Sequence, residues 1–268
     1  MKPGLMRLLL FLTVLILLSV SLPAASLSES AEAEETVEEI ELDETPAPVA
    51  EETEPSPREA FIEDIIALGK ELFDKANGKV QRAHYKGDIY VCKNFTVYLF
   101  RQTRGKYRMA EYPDTELKIP NNLPEKQCRP YAYGYRWEDI SASDGNPFYE
   151  AAQFLYDKDL SKEENIALAK EFMKQVQKGD YFQMTGDYSG GKGAHSAIFM
   201  SDYDPETNMV SSLESNRSGR RINGLRYGKV EYDCELDISV WIGFFCRKKC
   251  GATLYRLRDD IIFADSQQ

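Results

Sequence analysis

Histidine is scarce in this 268-residue chain, which holds only His84 and His195. Any imidazole base must therefore be one of these two. Neither accompanies the pair Cys246 and Cys250, so the sequence gives that pair little of the character of a zinc site. Long apolar runs are missing beyond Leu22, and no later stretch is apolar enough to span a bilayer, so no stable membrane insertion is expected once the N-terminal segment is removed. Basic excess is missing too. The formal net charge of −11 comes from residues 28–54, which carry twelve Asp or Glu, no Lys or Arg and no aromatic residue. Residues 58–268 are left nearly neutral, with 31 basic and 32 acidic groups, which gives no case for nucleic-acid binding. No repeat of fixed period is present, so a solenoid is not expected.

At the N-terminus, Lys2 and Arg7 precede an apolar run from Leu8 to Leu22 that closes on Pro23, Ala24, Ala25 and Ser26. This is the layout of a signal peptide over residues 1–27, and it predicts a secreted protein, extracellular or associated with the cell wall. The acidic tract over residues 28–56, with Pro46, Pro48 and Pro55, cannot bury enough apolar surface to fold alone and reads as a solvated linker. Residues 57–268 then have the length of one domain, and a monomer is expected. The five cysteines, Cys92, Cys128, Cys234, Cys246 and Cys250, are odd in number, so in an exported chain at least one thiol is left over. The other four are open to two disulfides, to free thiols or, less readily, to a metal.

Ser56, Pro57 and Glu59 form the start of a helix: an N-cap, a residue suited to the first turn and a carboxylate that reaches back. Phe61, Ile65, Leu68 and Leu72 continue it at helical spacing to Asn77-Gly78. A second amphipathic run begins near Val91 and passes through Phe95, Leu99 and Phe100. The stretch from Gly105 to Gly145 has no sustained period and reads as a long loop or insertion. Helices are expected over Phe148–Tyr156 and from Ser161, capped by Glu164, to Gly179. Strands are expected over Tyr181–Thr185, Ser196–Tyr203, Met209–Leu213, Leu225–Tyr232, Ile238–Phe245 and Ala252–Leu257. Helices first and a mostly antiparallel sheet second is an α+β pattern.

Cys92 falls in the first turn of the second helix, directly after the Gly87-Asp88 break. A helix N-terminus stabilises an anion and lowers a thiol's pKa toward the attacking thiolate. Its free N–H groups can also receive an oxyanion. Taken alone, such a cysteine is more readily read as a buried structural thiol. His195 changes the balance, because it opens a strand from which a base can lean over a neighbouring helix end. His84 lies in a polar connector and reads as solvated. After the Asp204–Asn208 turn the next strand carries Glu214 and Asn216 on one face, level with the start of the His195 strand if the two pair as a hairpin. Either could orient the imidazole through its other nitrogen.

Cys-x-x-Phe at a helix start, Gly179-Asp180 opening a strand, Gly-x-His at the next strand and Glu-x-Asn on its hairpin partner resemble the papain-like amidohydrolases of the CHAP and NlpC/P60 group, CHAP more closely. The Cys-x-Asn-Phe form is also similar to bacterial putative amidase domains of that fold. Val91, Lys93 and Asn94 depart from the NlpC/P60 pattern, which places Asp before the nucleophile and Ser-Gly after it. The resemblance implies a papain-like fold and a site of Cys92, His195, Glu214 and Asn216. It implies an exported cysteine hydrolase that cleaves amide bonds in peptidoglycan stem peptides or crosslinks, with no metal or organic cofactor. Two alternatives stand beside it: an exported surface-binding module that keeps the fold without catalysis, and an acyltransferase using the same Cys–His centre. Gly186 to Lys192 matches part of a phosphate-binding loop, but Gly193 replaces the required Ser or Thr and a strand follows.

Overall fold

The polypeptide builds four helices and nine strands within the residues that the computed structural model describes, which are 54–76, 81–82, 91–122, 135, 137, 145–185, 194–222, 225–249 and 251–264. Residues 1–53, with the expected signal peptide and most of the expected linker, lie outside them, as do His84, Cys128, Cys250 and residues 186–193.

Helix α1 (Pro57–Ala76) starts as its sequence demands: Glu59 accepts from the Ser56 N–H at 2.8 Å, while Ser56 Oγ accepts from the Glu59 N–H at 3.3 Å. Its buried face is Phe61, Ile62, Ile65, Ile66 and Leu72. Helix α2 (Cys92–Thr103) buries Phe95, Leu99 and Phe100. Helix α3 (Lys162–Met173) is opened by the reciprocal pair Ser161 and Glu164. Short strands follow α1 (β1, Gln81–Arg82) and α2 (β2, Tyr107–Met109), and β2 pairs with the last strand, β9 (Ile261–Phe263), in a small separate ribbon.

The main sheet has seven strands in the order β1-β7-β6-β5-β4-β8-β3, with every neighbouring pair antiparallel. Its other members are β3 (Phe148–Phe154), β4 (Tyr181–Thr185), β5 (His195–Phe199), β6 (Met209–Ile222), β7 (Leu225–Asp237) and β8 (Gly251–Leu257). Alternation along the strands gives the sheet two apolar faces. Tyr181, Ile198, Leu213, Val230 and Tyr255 pack with α1 and α2 on one side. Phe182, Met184, Ala197, Phe199 and Leu254 pack on the other with α3 and a fourth helix, α4 (Ile238–Lys248). The architecture is α+β, as the sequence indicates.

Two assignments need correction. Phe148–Tyr156, expected as a helix, is strand β3. A bulge between Glu150 and Ala152 shifts its register, so Phe148 joins the α1/α2 core and Phe154 the α3/α4 core. That extra residue breaks the period of two and gives the run a helix-like spacing. Ile238–Phe245, expected as a strand from its β-branched and aromatic residues, is helix α4. Ile238, Trp241, Ile242 and Cys246 form its buried stripe, and Asp237 Oδ1 caps it by accepting from the Ser239 N–H at 2.7 Å. Strand β6 runs past its expected end at Leu213 to Ile222, and β7, which starts at Leu225 as expected, runs past Tyr232 to Asp237. In the expected loop after Gly105, the described residues include β2.

Two close approaches fix the sheet against α1. A Cβ at Gly69 would meet Leu213 Cδ2 at 2.2 Å, so α1 lies directly on β6. Gly179 has φ +89°, and a Cβ there would meet Ile62 Cδ1 at 2.5 Å. The next residue, Asp180, is fully buried and takes both Nε and Nη2 of Arg256 at 2.7 and 2.8 Å, which ties the entry of β4 to β8.

Candidate active site

Four elements converge on one point. Cys92 is the first residue of α2, preceded by the extended N-cap Val91 (φ −104°, ψ 130°), which offers no capping side chain. The N–H groups of that turn are therefore not taken by a cap. His195 is the first residue of β5, paired with Met184 of β4. Glu214 lies opposite Ala197 on β6, two residues along from His195 and on the same face. Trp241, on α4, stacks on the His195 ring with centroids 6.2 Å apart and planes 21° apart.

The side chains form a chain of contacts. The Cys92 thiol is hydrogen-bonded to His195 and also receives the backbone N–H groups of Lys93 and Ser196. On the other side, His195 Nε2 lies 2.5 Å from Glu214 Oε2. That leaves Nδ1 for the sulfur. Glu214 Oε1 accepts from Asn216 Nδ2 at 2.7 Å. The structure thus brings together all four residues singled out in the sequence, and it divides the roles left open there. Glu214 holds the imidazole, whereas Asn216 holds Glu214. Cys92, His195 and Glu214 are all buried, between 7 and 8 % exposed.

Burial alone opposes every charge in this row, and the row overcomes it by pairing. Burial pushes the Cys92 thiol up, but the hydrogen bond and charge of His195, with the two N–H groups, bring its pKa below the ordinary value. Burial pushes His195 down, but the Glu214 charge and the bonds to Cys92 and Glu214 raise it to about 10. Glu214, also opposed by burial, is held below the usual carboxylate range chiefly by His195. All three shifts run toward the charged forms, thiolate, imidazolium and carboxylate in sequence, an arrangement that favours a nucleophilic sulfur beside a proton donor.

A comparison with protein-family models, curated proteins and solved structures finds no match.

Three contributors were not legible in the sequence. Trp241 sat in a run read as a strand. The Ser196 N–H is a backbone group that side-chain patterns do not reveal. The third is Glu231, which faces Glu214 across the β6–β7 pair and is bound by Lys229 Nζ at 2.7 Å. Beside His195 opens a cavity of about 560 Å³, bounded by Glu214, Asn216, Met184 and one side of α4. Cys234 and Cys246 are not in disulfides. Among the described residues, no group of three or more His, Cys, Asp or Glu is placed to hold a metal ion, and no helix is long and apolar enough to cross a membrane.

Proposed function

We propose that this chain is an exported cysteine hydrolase of papain-like fold that cleaves amide bonds through an acyl-enzyme. The observation that carries the reading is the continuous row from Cys92 through His195 and Glu214 to Asn216, buried and charge-paired at a helix N-terminus. A purely structural thiol needs no imidazole, and a buried histidine at rest needs no carboxylate that drives its pKa upward.

In the first step the Cys92 thiolate attacks the amide carbonyl carbon. Oxygen takes up the electron pair and is received by the Cys92 N–H at the start of α2. On collapse the C–N bond breaks, and the amine departs with the proton from His195. A thioester on Cys92 remains. The neutral imidazole then takes a proton from water as its oxygen attacks the thioester carbon. The S–C bond breaks, a carboxylic acid leaves, and the imidazolium–thiolate pair is restored. Glu214 keeps the ring oriented and stabilises its charged form in both halves, and Asn216 keeps Glu214 from turning away.

Peptide amides are the proposed substrate class, with peptidoglycan stem peptides and crosslinks the first members to test. That class, like the external location, rests on the N-terminal segment and the family resemblance. The test is release of new amines from purified cell wall and from peptides. Cys92→Ala and His195→Ala should each abolish it, with folding checked by circular dichroism. Undiminished release by both variants would refute the proposal.

A further inference from the structure

The cavity beside His195 has a wall that the reaction does not use. Met184 of β4, Leu236 of β7 and Val240, Trp241 and Phe244 of α4 line it, and Gly243 lies among them. A Cβ built on Gly243 would meet none of the described residues within 4 Å, so among them this helix face is open. Val240, one turn earlier, is 54 % exposed, an unusual setting for a valine on a helix that buries Ile238, Trp241, Ile242 and Cys246. Glu214 and Asn216 also border the space, but Glu214 is engaged by His195 and Asn216 donates to Glu214. Cys92 is not among the walls; the thiol and the cavity meet on His195.

From this arrangement we infer that the cavity is a specificity pocket for an apolar group flanking the scissile amide. It takes a large aliphatic or aromatic side chain, or an acyl chain, and Gly243 is the residue that keeps it open. This rests on the hydrolase reading and sharpens it. A volume of about 560 Å³ is far larger than a methyl group requires, so amides next to bulky apolar groups are favoured over the small and charged residues of a stem peptide. With its ordered walls the pocket needs no rearrangement to accept such a group, and the energy of burying it is available to position the amide.

The test uses the full chain and a series of thiol reagents: iodoacetamide, its N-butyl and N-hexyl forms, and one with an N-carboxyethyl arm. Alkylation of each cysteine is followed by mass spectrometry, and Cys234 supplies the internal reference. At Cys92 the rate should rise by roughly fourfold per added methylene, relative to Cys234, as the arm is buried. The carboxyethyl arm should give no gain. In Gly243→Leu, and less completely in Gly243→Ala, the hexyl-to-plain ratio should fall toward that of Cys234. A flat wild-type series, or a preference for the carboxylate arm, would overturn the pocket while leaving the nucleophile standing. A Cys92 no faster than Cys234 toward every reagent would overturn the hydrolase reading, and the pocket with it. The wild-type series decides even if the leucine variant does not fold.

Discussion

Replacing Glu214 by Gln probes the row at its most informative link. The side chain keeps its size and can still accept a hydrogen bond from His195 Nε2, while the negative charge 2.5 Å away is removed. Two opposite charges about 4 Å apart, centre to centre, attract by about 4 kcal/mol at an effective dielectric near 20. At about 1.4 kcal/mol per pH unit, that supports roughly three units. His195 rises from 6.5 to about 10 against its burial, and Glu214 makes the largest upward contribution. Without the charge, the proton should move from the imidazolium back to sulfur. The assay is the ultraviolet absorbance of the thiolate as a function of pH, taken as the difference from Cys92→Ser in each background. Wild type should show thiolate at neutral pH. In Glu214→Gln that signal should be lost at neutral pH and return only near or above the ordinary thiol value of 9.0. Superimposable titrations would show that Glu214 does not sustain the ion pair.

Further outcomes follow from the same geometry. The thiol lowered in the fold contributes stability that is full above its ordinary value of 9.0 and is lost as pH falls, while the raised histidine contributes stability that is full below 6.5 and is lost as pH rises toward about 10, so the two dependences oppose each other between 6.5 and 9.0. In Cys92→Ser only the raised histidine remains: its contribution is full below 6.5 and is lost as pH rises toward the folded value. Thermal melts of the variant should therefore fall relative to wild type from pH 6.5 to 9. Asp180→Asn should destabilise by about 1–3 kcal/mol in urea unfolding, because it weakens the two hydrogen bonds from Arg256 while burial already opposes the Asp180 charge. Gly179→Ala should cost about 1–3 kcal/mol in the same assay, from its positive φ and the contact with Ile62. Asn216→Ala should slow turnover less than Glu214→Gln does, because Asn216 touches the carboxylate and not the imidazole.

Local signals were legible in the sequence wherever the physics was local. Ser56 with Glu59 and Ser161 with Glu164 marked helix starts, because a capping box is complete within four residues. The Asp204–Asn208 turn joins β5 to β6, and strand alternation places Glu214 and Asn216 on one face, level with the start of the His195 strand once the two pair. Legibility failed where distant neighbours decided the outcome. The bulge in β3 is set by its pairing with β8, and nothing in Phe148–Phe154 alone announces it. Helix α4 has strand-like composition, yet its buried stripe matches the face presented by Phe182 and Phe199. That single misreading hid both Trp241 and the apolar wall of the cavity. The division of labour between Glu214 and Asn216 was also out of reach, because residues two apart on a strand share a face and only atomic distances tell which touches the ring.

The measurement that bears most directly on the central claim is the reactivity of Cys92 at pH 6, resolved from Cys234 and Cys246 by peptide mass mapping after brief exposure to iodoacetamide. Burial raises the pKa of both of those thiols and nothing lowers them enough to compensate, so Cys92 should be labelled first and by a wide margin. His195→Ala should erase the difference. Equal labelling of the three cysteines in wild type, or a Cys92 advantage that survives the loss of His195, would contradict the assignment of Cys92 as an imidazole-activated nucleophile.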